Sequence, residues 1–338
     1  MKLVSAKALM VPQISMEPLT ILNKVMYPYL VRDRFNYLNK NSAILFAEPK
    51  VNLPSPLLLT NVQCALRVRG REIISQARNK KIAFVADNHT DCLSALYALM
   101  QELSDPEQLT VYTEEPLDLK IPSKVVLTED ILEDLNENLY ERVVFGFSGS
   151  SLFEPEMLNP VFKNYAWMDG IRNSLGYALP ESKENLLRKE VEGYSNLLQI
   201  PVETFSDLSF LFNFGCKWSL IQDLPNLYLF GSRNKNKGIH FFDSLDIQRY
   251  ALFNFESFKG NNTIRYRSPL RQYLYDCTGE RSWLTRTEKY DPYRLPISED
   301  PVIRVRTNQG IQLFKSNAGE CSPCYKRLSM KIRESFRK

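Results

Sequence analysis

Between Lys80 and Thr113 the chain passes through two kinds of apolar pattern. Ile82-Ala83-Phe84-Val85-Ala86 is an unbroken apolar run of strand length, closed by the polar turn Asp87-Asn88-His89-Thr90-Asp91. Such a run fits a strand buried on both faces. Cys92, Leu93, Ala95, Leu96, Ala98, Leu99 and Met100 then recur at helical spacing, and Leu109 to Tyr112 returns to a strand pattern. Strand, turn, helix and strand make one βαβ unit. In a parallel unit the turn lies at the carboxyl edge of the sheet, where ligands bind, and the helix start presents unpaired amides suited to an anion.

The same reading extends along the chain. Thr60 to Arg78 predicts a helix with a break at Gly70 and with Val62, Leu66, Val68, Ile73 and Ile74 near one face. Lys124 to Leu127 predicts a third strand, followed by a capped acidic helix running to about Tyr140. Val143, Val144 and Phe145 predict a buried strand that opens into Gly146-Phe147-Ser148-Gly149-Ser150-Ser151. That loop reads either as a phosphate-binding turn or as a plain connection. From Glu181 the pattern is helical, and Phe205, Leu208, Phe212 and Trp218 form an apolar core stripe. Residues 1–60 are punctuated by proline and predict irregular or extended segments. The expected class is therefore α/β, in three regions: an irregular N-terminal segment (1–60), an α/β core (61–180) and a mainly helical region (181–338).

Composition narrows the function classes. With 338 residues, 44% apolar and 24% charged, the chain has the make-up of a soluble globular protein. No run approaches the roughly 20 apolar residues that span a bilayer, and Lys2 and Lys7 break the apolar start, which argues against a signal peptide. A formal charge of +4 is too small and too dispersed to argue for nucleic acid. Arg265, Arg267 and Arg271 are the residues that would have to supply a basic face. Six sparse cysteines point to a reducing compartment, and the expected location is the cytoplasm.

The strand, turn and helix frame around Asp91-Cys92-Leu93-Ser94-Ala95-Leu96-Tyr97-Ala98-Leu99 resembles the ATP pyrophosphatase (PP-loop) superfamily. In that superfamily the turn reads Ser-Gly-Gly-x-Asp-Ser, and its amides hold the pyrophosphate of ATP during adenylation. Asp87, Asn88 and His89 stand where the resemblance places Ser-Gly-Gly, Thr90 is the variable position, Asp91 matches, and Cys92 replaces the last serine. Gly146, Gly149, Leu152 and Phe153 fall on a second segment, the glycine loop of asparagine-synthetase-like members. There Ser150 stands in place of an aspartate. Gly238 to Ser244, Gln248 to Leu252, Tyr266 to Arg271 and Tyr275 to Glu280 resemble bacteriophage-encoded members of the same group. Cys321-Ser322-Pro323-Cys324 resembles half of the four-cysteine zinc knuckle of 7-cyano-7-deazaguanine synthase. Cys216, Cys277 or His240 would have to complete a tetrahedral set, and a pair of inert thiols is the other reading.

The resemblance implies a Rossmann-like parallel sheet, an ATP site built from Asp87 to Cys92 with Gly146, Gly149 and Ser150, and magnesium at Asp91. The departures imply that this chemistry is lost. A carboxylate at Asp87, about 4 Å from a phosphate oxygen, is repelled by about 4 kcal/mol at a near-surface dielectric. His89 crowds a close backbone approach that glycine would leave open, and magnesium loses one of its carboxylates at Ser150. His89 between two aspartates can also be read as a general base or as a solvated turn residue. The expectation is a catalytically inactive member retained as a binding or structural module with protein partners, such as a phage virion component. The alternatives are an active AMP-forming amide or nitrile ligase and a nucleotide- or RNA-binding protein.

Overall fold

The computed structural model describes residues 61–153, 160–218, 221–222, 232–234, 236–258, 268–286, 302–307 and 310–315, with 4–5 and isolated positions at 21, 37, 225, 228 and 229. Contacts divide the chain into two compact units, each built from non-contiguous segments. One draws on residues within 54–153 and 221–294. The other draws on residues within 1–53, 154–220 and 295–329.

The first unit is an α/β layer around strand β2 (Ile82–Ala86), all five residues of which are buried. Its neighbours are β3 (Leu109–Thr113) and β5 (Arg142–Phe145), both parallel to it, with Phe84 level with Val111 on one side and Val144 on the other. Strand β4 (Lys124–Leu127) lies outside β3 and strand β6 (Gly238–His240) outside β5, again parallel, giving the order β4-β3-β2-β5-β6. β6 thus joins from residue 238, past the 61–180 span read as the α/β core. The chain leaves β2 towards β3 and β4 and then crosses back to β5. The order therefore reverses between β2 and β5, the place at the carboxyl edge of an open parallel sheet where ligands commonly bind.

Helix α1 (Val62–Ala77) begins at Asn61, whose Oδ1 accepts from the Cys64 amide at 2.7 Å. It does not break at Gly70. The glycine is where helix α2 (Thr90–Glu102) comes close: a Cβ there would lie 2.9 Å from the Ala98 carbonyl oxygen. The buried face also differs from the expected one. Ala65, Leu66, Arg69, Gly70, Ile73 and Ala77 are buried, whereas Val62, Val68 and Ile74 are only half-buried. Arg69 is accepted inside because its guanidinium donates to the carbonyls of Phe241 (2.9 Å) and His240 (3.2 Å) and pairs with Glu72. A buried charge needs such partners. Glu102 at the end of α2 pairs with both Arg67 and Arg71 and joins the two helices.

Helix α3 (Ile131–Glu137), capped by Asp130, stops short of Tyr140, whose hydroxyl instead meets that of buried Tyr112. Helices α7 (Leu245–Phe258), α8 (Ser268–Thr278) and α9 (Ser282–Thr285) complete this unit. Leu93, Leu274 and Trp283 form a small core cluster with Tyr97, Leu117, Leu119 and Tyr275 packed against it.

The second unit contains helices α4 (Trp167–Leu175), α5 (Glu181–Leu198) and α6 (Phe205–Phe212). It also holds a three-stranded sheet in which β8 (Gly310–Lys315) lies between β1 (Val4–Ser5) and β7 (Val302–Thr307). α6 is buried along its whole length, and Phe205, Leu208, Phe212 and Trp218 are core residues, as the stripe predicts. A capping box starts it: the Thr204 hydroxyl accepts from the Asp207 amide, and the Asp207 carboxylate accepts from the amides of Thr204 and Glu203. Among the described residues no helix is long and apolar enough to cross a membrane.

Candidate functional site

The two loops at the reversal point hold nearly every residue singled out from the sequence. The β2–α2 turn carries Asp87 to Cys92, and the loop after β5 carries Gly146 to Ser150. They meet through Asp91, which is buried (1% exposed) in the first turn of α2. Its Oδ1 accepts from the Cys92 amide at 2.9 Å and its Oδ2 from the Ser150 amide at 3.1 Å. The carboxylate thus ties together two loops that lie 59 residues apart.

Asp87 turns inward in a similar way. Its Oδ1 accepts from the His89 amide at 3.0 Å, and its own amide donates to the Cys92 Sγ at 3.4 Å. The Cys92 thiol in turn lies 3.6 Å from the Val85 carbonyl. Burial, more than the nearby carboxylates, raises this thiol well above its ordinary pKa, so it is a neutral group bridging strand and turn. His89 occupies the cap position of α2 with extended backbone but makes no side-chain capping bond. Thr90 is buried beside it.

Asn88 is clamped from the β3–β4 connection. Its Nδ2 donates to the Pro116 carbonyl (2.7 Å) and to Glu115 (3.2 Å), and its Oδ1 accepts from the Asp118 amide (2.8 Å). Arg286 closes the clamp by donating to the Asn88 carbonyl (2.8 Å) and to Asp118 (2.9 Å), with its guanidinium over the Trp283 ring. Nothing local in the sequence marks these contacts, since Arg286 and Asn88 are 198 residues apart.

The second loop is shaped by two glycines and one serine. At Gly146 a Cβ would come 2.9 Å from the Cys92 Cα, so the absence of a side chain lets α2 lie against the end of β5. At Gly149 a Cβ would fall 2.1 Å from the buried Phe242 ring. Ser148, where the resemblance has a second glycine, still adopts left-handed backbone (φ 59°). Ser150 is buried.

His240, at the end of β6, is also brought to this loop. Its Nε2–H donates to the Phe147 carbonyl at 2.8 Å, and its Nδ1 accepts from the Phe242 amide at 3.3 Å. Burial lowers its pKa to about 4. The Phe147 hydrogen bond and the carboxylates of Asp243 and Asp91 pull the other way. Both ring nitrogens are engaged with backbone, so the imidazole is a neutral fixture. With both nitrogens so engaged, it is not placed to activate a serine.

These groups do not fit a triphosphate with magnesium as they stand. Two amides that an anion would need, those of His89 and Ser150, already face carboxylates of the protein itself. The open face of Gly149 is filled by Phe242, and both Asp91 oxygens are spent on amides. Among the described residues no three His, Cys, Asp or Glu side chains are arranged to hold a metal ion. Cys321 and Cys324 lie outside the described residues, as do Arg265 and Arg267. Cys277 takes a hydrogen bond from Gln101. Arg271 is buried and adds nothing to an exposed basic face.

No protein-family model, curated protein or solved structure matches this chain.

Proposed function

We propose that the chain is an inactive relative of the PP-loop ATP pyrophosphatases, of the asparagine-synthetase-like or 7-cyano-7-deazaguanine-synthase-like kind, in which a former nucleotide crevice serves as an internal fastening. Its role on this reading is that of a binding or structural module with protein partners, in the cytoplasm or in a phage particle. The observation that carries it is the Asp91 carboxylate bridging the amides of Cys92 and Ser150. A carboxylate seated on those amides does for the chain what a bound anion would do, and it removes the reason for one to enter.

The test is calorimetric titration with magnesium ATP, alongside pyrophosphate release with amine and carboxylate acceptors. The reading expects no binding at millimolar nucleotide and no pyrophosphate. Binding tighter than about a millimolar that vanishes in Asp91→Ala would replace it with the second reading, an AMP-forming amide or nitrile ligase. That second reading draws on one feature. The two loops that would share the nucleotide do converge at the reversal point of a parallel sheet, with Asp91 between them.

A further inference from the structure

Strand β4 differs from the rest of its sheet. β2 and β3 are buried at every position, whereas Lys124, Val125 and Leu127 of β4 are exposed, Val125 by 44% and Leu127 by 61%. A parallel sheet normally has both faces under helices. The backbone of β4 is oriented as well as bare. The Thr128 amide donates to the Thr113 carbonyl at 3.0 Å. Residues 124, 126 and 128 therefore turn their amides and carbonyls towards β3, and Val125 and Leu127 turn theirs towards the open edge. Among the described residues no strand pairs with that edge. An exposed apolar edge without a bulge or an internal proline is a template for another strand.

We propose that β4 of a second copy of this chain closes the edge, in antiparallel pairing about a two-fold axis through Val126. An axis normal to the sheet keeps each side chain on its own face, so residues can only pair with positions of the same parity. Centred on Val126, the register sets Val125 opposite Leu127 twice, in pairs that use the outward amides and carbonyls. Val126 then faces its own counterpart in a non-hydrogen-bonded pair, with Cα atoms about 4.5 Å apart. Lys124 falls opposite Thr128, beside the acidic Glu129-Asp130 turn that follows each strand, so the basic start of each strand meets the acidic end of the other. Centring on Val125 instead would set the two Lys124 side chains diagonal to each other. The strand is thus self-complementary in apolar contact, hydrogen bonding and charge, and this does not rest on the reading of the β2 and β5 loops.

Sedimentation or light scattering of the full chain across the micromolar range tests it. The wild type is expected to show a monomer–dimer equilibrium. The Val125→Lys/Leu127→Lys variant is expected to weaken it by at least about tenfold while keeping the wild-type circular dichroism and, at concentrations where both are monomeric, the wild-type melting curve. Val161→Lys, at a 79% exposed site elsewhere, should leave it unchanged. Under mild oxidation Val126→Cys should yield a disulfide-linked dimer beyond the wild-type background, since facing positions at this spacing are within bonding range, whereas Val125→Cys should not. A wild type that stays monomeric, a dimer indifferent to the two lysines, or equal cross-linking at 125 and 126 would each overturn the proposal.

Discussion

Gly146 carries no side chain because the Cα of Cys92 leaves no room for one. Gly146→Ala would push α2 off the end of β5, and because the obstacle is backbone it cannot rotate away. The expected loss is about 2 kcal/mol, read as a lower denaturant midpoint. His240 gives a pH-dependent counterpart. Its imidazole takes a proton near pH 6.5 when unfolded but only near 4 when folded. Its contribution is complete above pH 6.5 and drains away as the pH falls towards 4, by at most about 3 kcal/mol. His240→Gln should therefore show a shallower loss of stability between pH 7 and pH 4 than the wild type. At this scale the sequence located both loops but not what their side chains do. That Asp91 reaches the Ser150 amide and Asn88 the Asp118 amide depends on separations of 59 and 30 residues, which no local spacing encodes.

Elements were legible where one face had one partner. β2, α2, β3 and β5 begin and end close to where the apolar pattern puts them, because each buries most of its length and pattern and burial coincide. α1 departs from expectation because two partners override local preference. α2 needs the bare surface of Gly70, and the carbonyls of His240 and Phe241 admit Arg69 to the buried face. Helix ends offer further tests. Exposed Gln199 terminates α5 in left-handed backbone (φ 55°), a conformation that costs an L-residue about 1 kcal/mol and glycine almost nothing. Gln199→Gly is therefore expected to raise the melting temperature. Thr204→Ala removes one half of the capping box of α6 and should lower stability by about 1 kcal/mol, measured by chemical denaturation.

For the molecule as a whole, the α/β class followed from alternating strand and helix patterns. The recruitment of β6 did not, because a three-residue strand carries too little pattern to be seen. Strand order matters here because it determines which loops become neighbours, and the reversal between β2 and β5 joins Asp91 to Ser150. If that junction is an internal fastening, millimolar magnesium ATP should leave the unfolding midpoint of the intact chain unmoved, since only a ligand that prefers the folded state raises it.

The buried thiol at this junction has one more use. Cys64 lies on the surface, so an alkylating reagent should take it first, with Cys277 following more slowly because it is partly accessible and burial raises the pKa of its thiol. Cys92 is sealed between strand and helix and held as an unreactive thiol, so it can be modified only during moments when the two loops part. Followed by peptide mapping, its slow alkylation becomes a clock built into the chain, its rate set by the fraction of time the junction stands open.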